Sequence, residues 1–150
     1  MKAVIQRVSY SKLKVDKSFF SEIGSGLMIL LGITHDDNLE DLVWLAKKVA
    51  RLRIFDDEDG VMNKSVIDVN GEIQVVSQFT LFALTKKGNR PSYINAAKGD
   101  FAKKMYNSFI KELQKYLNKN IKTGKFGYDM SVEFENVGPV TIIIDSKNKI

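Results

Sequence analysis

Val75-Val76-Ser77-Gln78-Phe79-Thr80-Leu81-Phe82 is the stretch on which the fold turns. It is rich in β-branched and aromatic residues and holds no Gly or Pro, which predicts a buried strand. Side chains alternate across a strand, so Gln78 and Thr80 would share one face and Ser77 and Phe79 the other. Polar groups inside an apolar strand cost free energy unless they are hydrogen-bonded. Ser77, Gln78 and Thr80 are therefore either satisfied within a sheet or gathered at a site. A second stretch, Asn136-Val137-Gly138-Pro139-Val140-Thr141, lies between two strand-like runs near the C-terminus and bears on that choice.

Upstream, residues 2–8 and 12–15 read as strands, with Asp16-Lys17-Ser18 a tight turn into Phe19–Ile23. Gly24-Ser25-Gly26 turns the chain into Leu27–Ile33, an almost wholly apolar run and so a central strand. Asp37-Asn38-Leu39-Glu40 has the pattern of a helix start. Leu39, Leu42, Val43, Ala46, Val49 and Ala50 then recur at helical spacing, predicting a helix over 38–52 with Trp44 at its margin. Residues 61–70 read as irregular, and Asn70-Gly71 as a turn into a strand over 72–82.

Downstream, residues 85–93 form a loop in which Arg90 must be extended before Pro91. Apolar positions from Ala96 to Leu117 predict a long amphipathic helix over roughly 94–119, its outer face carrying Lys103, Lys104, Lys111, Lys115 and Lys119. Gly124–Gly127 is a turn, Met130, Val132 and Phe134 alternate as a strand, and Val140–Ile144 reads as a closing strand. Without repeats or a linker, residues 1–150 read as a single domain. Short strands with two helices in mixed order predict an α+β fold with a mostly antiparallel sheet.

The composition narrows the chemistry. A chain of 150 residues can bury a real core. It has no Cys, which excludes disulfides, thiolate metal sites and a cysteine nucleophile, and fits a reducing cytoplasm. His35 is the sole histidine, so a capping or loop role is expected and no metal. Asp56–Gly60 has the look of a calcium loop but fails on register: with Gly60 at loop position six, Phe55 and Val66 fall where carboxylates are required. No run approaches a membrane span, and the N-terminus lacks a signal-peptide core, so no membrane partner is expected. The net charge of +5 is unevenly spread: residues 85–125 hold eleven Lys/Arg against two Asp/Glu. Such a segment either attracts a polyanion or is a lysine-rich solvated helix face.

Ser77-Gln78-Phe79-Thr80-Leu81 followed by Asn136-x-Gly138-Pro139-Val140-Thr141 resembles the D-aminoacyl-tRNA deacylase family. The likeness extends, in order, to Met1–Val8, Gly32–Asp37, Leu52–Phe55, Lys87–Ser92 and Thr123–Gly127. It implies a layered sheet-and-helix fold and a homodimer with the active site near the subunit interface. It also implies aminoacylated tRNA as partner and substrate, and no cofactor. The reaction implied is hydrolysis of the ester joining a D-amino acid to the terminal adenosine of tRNA, with glycine on tRNA(Ala) as a second substrate, in chiral proofreading. Gly138 and Pro139 would form a cis pair that points its carbonyl oxygens into the partner's pocket, with Arg7 holding that turn. Phe79 and Thr80 backbone N–H groups would stabilise the oxyanion, Ser77 and Gln78 would orient the terminal nucleotide, and Phe126 and Met130 would line the pocket. By residue type Thr80 is itself a candidate nucleophile, but a hydroxyl needs an adjacent base, and the one His lies far away in the chain. Two positions depart from the family pattern: Val137, where Asp is frequent, and Tyr93, where Phe is frequent. The residues alone also admit a non-catalytic nucleic-acid-binding module or a structural dimer, although no aromatic signature of the common RNA-binding modules is present.

Overall fold

In a computed structural model describing residues 1–150, one long strand organises the sheet. This strand, β1 (Lys2–Val15), is paired antiparallel with β8 (Met130–Asp145) from Lys2↔Asp145 to Val15↔Met130. One edge of β1 is thereby used up, and two successive strands share the other. β2 (Ser18–Ile23) pairs with Ser11–Val15, and β3 (Gly26–Gly32) pairs with Lys2–Val8. The sheet continues from β3 through β6 (Glu72–Ser77) to β7 (Lys122–Thr123), both added parallel. A separate hairpin joins β4 (Phe55–Asp56) and β5 (Met62–Lys64). The predicted α+β class with mostly antiparallel pairing is the one observed.

Helices α1 (Leu39–Arg51) and α2 (Gly99–Gln114) cover one face of the sheet. Leu27, Ile29 and Leu31 of β3 alternate onto that face and meet Leu42 and Leu45 of α1 and Phe109 of α2. Each such fully buried side chain contributes about 1.5–3 kcal/mol. The opposite face gathers Val8, Ile23 and Met28 in one small cluster and Leu13, Val15 and Val76 in another. β1 serves both faces because its register with β8 slips between Gln6 and Ser11, placing Ala3 and Ile5 towards the helices and Leu13 and Val15 away from them. Gln74, wholly buried, ties the strands together. It accepts from Ser11 Oγ (2.6 Å) and donates to Ser21 Oγ (3.1 Å), whose hydroxyl donates to the Thr123 carbonyl (2.9 Å).

Several predicted boundaries are corrected. The segments 2–8 and 12–15 are one strand, as are the two C-terminal runs, which β8 joins through Gly138 and Pro139. Residues 61–70 are not wholly irregular, since Met62–Lys64 pair with β4. The helix predicted over 94–119 is confined to Gly99–Gln114. Gly99 enters it at φ +62°, a left-handed residue that stops the helical pattern from reaching back to Ile94. Ala96 and Ala97 are nonetheless buried, in the loop before it. At α1 the cap is Asn38, one residue later than the predicted Asp37: its side chain accepts from the Glu40 and Asp41 amides, and Asp41 accepts from the Asn38 amide. Asp37 instead accepts from the Met1 ammonium (2.5 Å) and the Thr34 amide (2.8 Å). No helix is long and apolar enough to cross a membrane.

Candidate active site

The predicted strand over 72–82 stops at Ser77. The Gln78 amide makes a last bond to the Leu31 carbonyl (2.8 Å), and the chain then coils into a 3₁₀ turn over Phe79–Phe82. The end of β3 permits this: a Cβ at Gly32 would lie 3.1 Å from the Gln78 carbonyl oxygen and equally close to the Leu81 and Phe82 side chains. Alternation across a strand therefore does not hold here. The Gln78 amide nitrogen donates to Thr80 Oγ1 at 2.6 Å. Phe79 points outward, half-exposed, its ring edge-on to Tyr93 with centroids 5.1 Å apart. The first bond of the turn runs from the Leu81 amide to the Gln78 carbonyl (3.4 Å). The Phe79 and Thr80 amides come before it, so the turn itself supplies them with no acceptor.

Ser77, Gln78 and Phe79 form one wall of a 270 Å³ cavity. Leu31, Ile33 and Ala102 are on its apolar side, and Phe126 and Gly127 close it. The loop carrying Ala96 and Ala97 is pinned by the Ala97 amide on the Ile33 carbonyl (2.9 Å). Phe126 leans on the Tyr106 ring (5.6 Å), and the Tyr106 hydroxyl donates to the Val75 carbonyl (2.7 Å). Burial pushes the Tyr106 phenol well above its ordinary value, so it stays a donor. Lys98 is the one charged residue of the lining, with no His, Asp or Glu. His35 sits elsewhere, its Nε2 3.2 Å from the Ile94 carbonyl. Met130, expected in the pocket, is not in the cavity wall: it packs against Leu13, Val15 and Val76, with Sδ 2.5 Å from where a Cβ on Gly124 would stand.

A second cluster forms around the Gly138-Pro139 peptide, which is cis. Gly138 has φ +120°, and a Cβ there would lie 2.9 Å from an Arg7 guanidinium nitrogen. Arg7 Nε donates to the Val137 carbonyl (3.2 Å), while its Nη1 donates to the Ile54 carbonyl (2.8 Å) and to Asp56 (3.2 Å). Asn136 closes the turn from the other side, accepting from the Val140 amide (2.9 Å) and donating to Thr141 Oγ1 (3.1 Å). Sequence reasoning assigned no role to Asn136, Ile54 or Asp56. Of these, only Asn136 had a local signal, as an Asx residue opening a Gly-Pro turn.

Sheet register separates the two clusters. Ser77 pairs with Leu31, whereas Gly138 and Pro139 fall between the Asn136↔Val8 and Thr141↔Gln6 pairs, beside Arg7 and hence Leu27. Four residues along a strand are about 13 Å, and three strand spacings from β6 to β8 are about 14 Å. Ser77, Gln78, Phe79 and Phe126 thus come together in one cavity with Thr80 bonded beside them, while Arg7, Gly138 and Pro139 sit elsewhere in the chain. Val137, Gly138 and Pro139 are all exposed.

The chain matches the model of the D-Tyr-tRNA(Tyr) deacylase family over residues 4–145. It is 57% identical over 149 residues to a D-aminoacyl-tRNA deacylase of Parabacteroides distasonis, 99% of each chain being covered. Against a D-aminoacyl-tRNA deacylase of Flavobacterium psychrophilum the identity is 58% at the same coverage. Among solved structures, the c-Myc DNA Unwinding Element Binding Protein superposes with a TM-score of 0.91 at 43% identity, covering 97% of this chain and 98% of that one. A probable eukaryotic D-amino acid tRNA deacylase superposes with a TM-score of 0.79 at 17% identity, covering 95% and 97%, a likeness of fold alone. The class so defined is a hydrolase acting on ester bonds, with aminoacyl-tRNA as substrate. Within it, the chain belongs to the D-Tyr-tRNA(Tyr) deacylase family, and its activity is D-aminoacyl-tRNA deacylation.

Proposed function

We propose that this enzyme is a cytoplasmic homodimer that proofreads chirality in translation, with each active site completed by the partner's Gly138-Pro139 turn. The observation that carries this is the separation of the two motifs within one subunit. Gly138-Pro139 is exposed, braced by Arg7 and Asn136, and remote from the subunit's own cavity. A rigid backbone turn held outward suits insertion into a second copy. Its carbonyl oxygens, close to the substrate Cα, leave no room for an L side chain, whereas a D side chain is directed elsewhere. Rejection by clash requires no contact with the side chain itself, so many D-amino acids are accepted. Glycine, having no side chain, is accepted too, and glycyl-tRNA(Ala) is a second substrate.

In the cavity, Ser77 and Gln78 orient the terminal adenosine. The Phe79 and Thr80 amides hold the oxyanion as the ester carbonyl is attacked. The ribose 2′-hydroxyl of the substrate assists the attack. Thr80 Oγ1 accepts from Gln78, and no His or carboxylate lines the cavity to activate it as a nucleophile. Phe126 closes the pocket, and Met130 supports it from behind.

Subunit mixing tests the assembly. Gly138→Ala impairs the inserted turn, and a Gln78→Ala/Thr80→Ala chain impairs the cavity. After random exchange of equal amounts, about a quarter of all sites join an intact turn to an intact cavity, and activity should recover to that fraction. No recovery in a demonstrably mixed dimer, or a fully active monomer, contradicts the proposal.

A further inference from the structure

A second groove, of 540 Å³, leads away from the cavity and shares Phe126 with it. Lys103 and Lys111 line it from one face of α2, eight residues apart and so aligned along the helix. Lys125 lines it from the loop after β7, with Nζ 3.8 Å from the centre of the Tyr128 ring. Phe20, on β2, lines it too. Tyr128 and Phe20 are 48% and 43% exposed, which leaves their rings open to stacking. None of the three lysines has a carboxylate within 4.0 Å, and none of the lining residues is acidic. Lysines converging on exposed aromatic rings are the elements with which proteins hold single-stranded nucleic acid: ammonium groups follow the phosphates and rings stack on bases.

We infer that this groove binds the unpaired nucleotides of tRNA that precede the terminal adenosine, stacking a base on Tyr128 and placing phosphates near Lys103, Lys111 and Lys125. The inference rests on the proposed seat of the terminal adenosine in the adjoining cavity, because the strand leaving that seat would run directly into the groove. It also separates two neighbours that charge alone does not: Lys103 faces the groove and Lys104 does not.

Three D-aminoacyl substrates test it: the ester of adenosine alone, the ester of the trinucleotide CCA, and full-length tRNA. For the wild-type enzyme, kcat/KM should rise from adenosine to the trinucleotide. Tyr128→Ala should lower kcat/KM on the trinucleotide and on tRNA by about 5- to 100-fold, the scale of one lost base stack, and leave the adenosine ester unchanged. Tyr128→Phe should keep wild-type rates. The Lys103→Gln/Lys111→Gln enzyme should show the same pattern as Tyr128→Ala. Its slope of log kcat/KM against log salt on tRNA should be shallower by about 1.4, two single-strand phosphate contacts. Lys104→Gln should match wild type on the trinucleotide. Equal losses on all three substrates, or losses on tRNA with none on the trinucleotide, would overturn the inference. Failure of the wild-type enzyme to cleave the D-aminoacyl adenosine ester would instead count against the proposed cavity, whatever the groove variants do.

Discussion

Thr80→Ala separates two mechanisms that share the same residues. Thr80 Oγ1 accepts from the Gln78 side chain at 2.6 Å, and the cavity it borders contains no basic side chain except Lys98. Removing the hydroxyl leaves both backbone amides in place but frees the Gln78 amide group. Loss of one neutral hydrogen bond is worth about 1 kcal/mol, roughly fivefold in rate. Were the hydroxyl also to donate to the oxyanion, the loss would reach about 10²–10³, the scale of one oxyanion-hole donor. Removing a true serine-type nucleophile costs on the order of 10⁶. Single-turnover hydrolysis of D-aminoacyl-tRNA, with and without the terminal 2′-hydroxyl, resolves these ranges. The expected result is a Thr80→Ala enzyme slowed by no more than about 10³ and a deoxy substrate that resists cleavage by either enzyme. Complete inactivity of Thr80→Ala while wild type still cleaves the deoxy substrate would refute the reasoning, as would an acyl group captured on Thr80 by mass spectrometry.

Two further outcomes concern the scaffold. A Cβ on Gly26 would stand 1.8 Å from the Glu72 carbonyl oxygen, where β3 and β6 begin to pair. Gly26→Ala should therefore cost at least about 1–3 kcal/mol, read as a melting temperature lower by several degrees, and an unchanged melting temperature would contradict that packing. Burial raises the Asp41 carboxyl, but hydrogen bonds from Lys147, the Asn38 amide and Ser146 outweigh it and hold the group below its ordinary value. A lowered folded value stabilises the protein above the unfolded carboxylate range and is lost as pH falls through the folded value. Asp41→Asn should cost about 0.5–2 kcal/mol at neutral pH, the scale of a helix cap. In urea unfolding the gap from wild type should narrow below about pH 4, and a gap that widens on acidification would contradict the assignment.

What could be read from the sequence depended on how local the physical cause was. The run Leu27–Ile33 and the spacing from Leu39 to Ala50 name a central strand and an amphipathic helix with no help from the rest of the chain, and both are found within a residue or two. The stop at Ser77 was not visible, because Val75–Phe82 has strand composition throughout. What leaves room for the turn is a bare Gly32 on a neighbour more than forty positions away, over which the chain folds. The continuity of β8 was hidden for a related reason: Gly138-Pro139 reads as a break, yet pairing of both flanks with β1 carries the strand through. The cavity residues were legible through motif resemblance rather than periodicity. Met130, which the resemblance also named, packs against Leu13, Val15 and Val76. Nothing in the strand around Arg7 names its partners, because the three carbonyl and carboxylate groups it bonds come from two other segments.

Side-by-side hydrolysis of D- and L-aminoacyl esters of one amino acid on the same tRNA bears most directly on the central claim. Esters of tyrosine, alanine and glycine at matched enzyme concentration cover a large side chain, a small one and none. The account predicts rapid loss of the D-tyrosyl, D-alanyl and glycyl groups, with both L esters lost no faster than without enzyme. Equal rates on the two enantiomers would contradict chiral exclusion by the Gly138-Pro139 turn, and so would rapid cleavage of L-alanyl-tRNA.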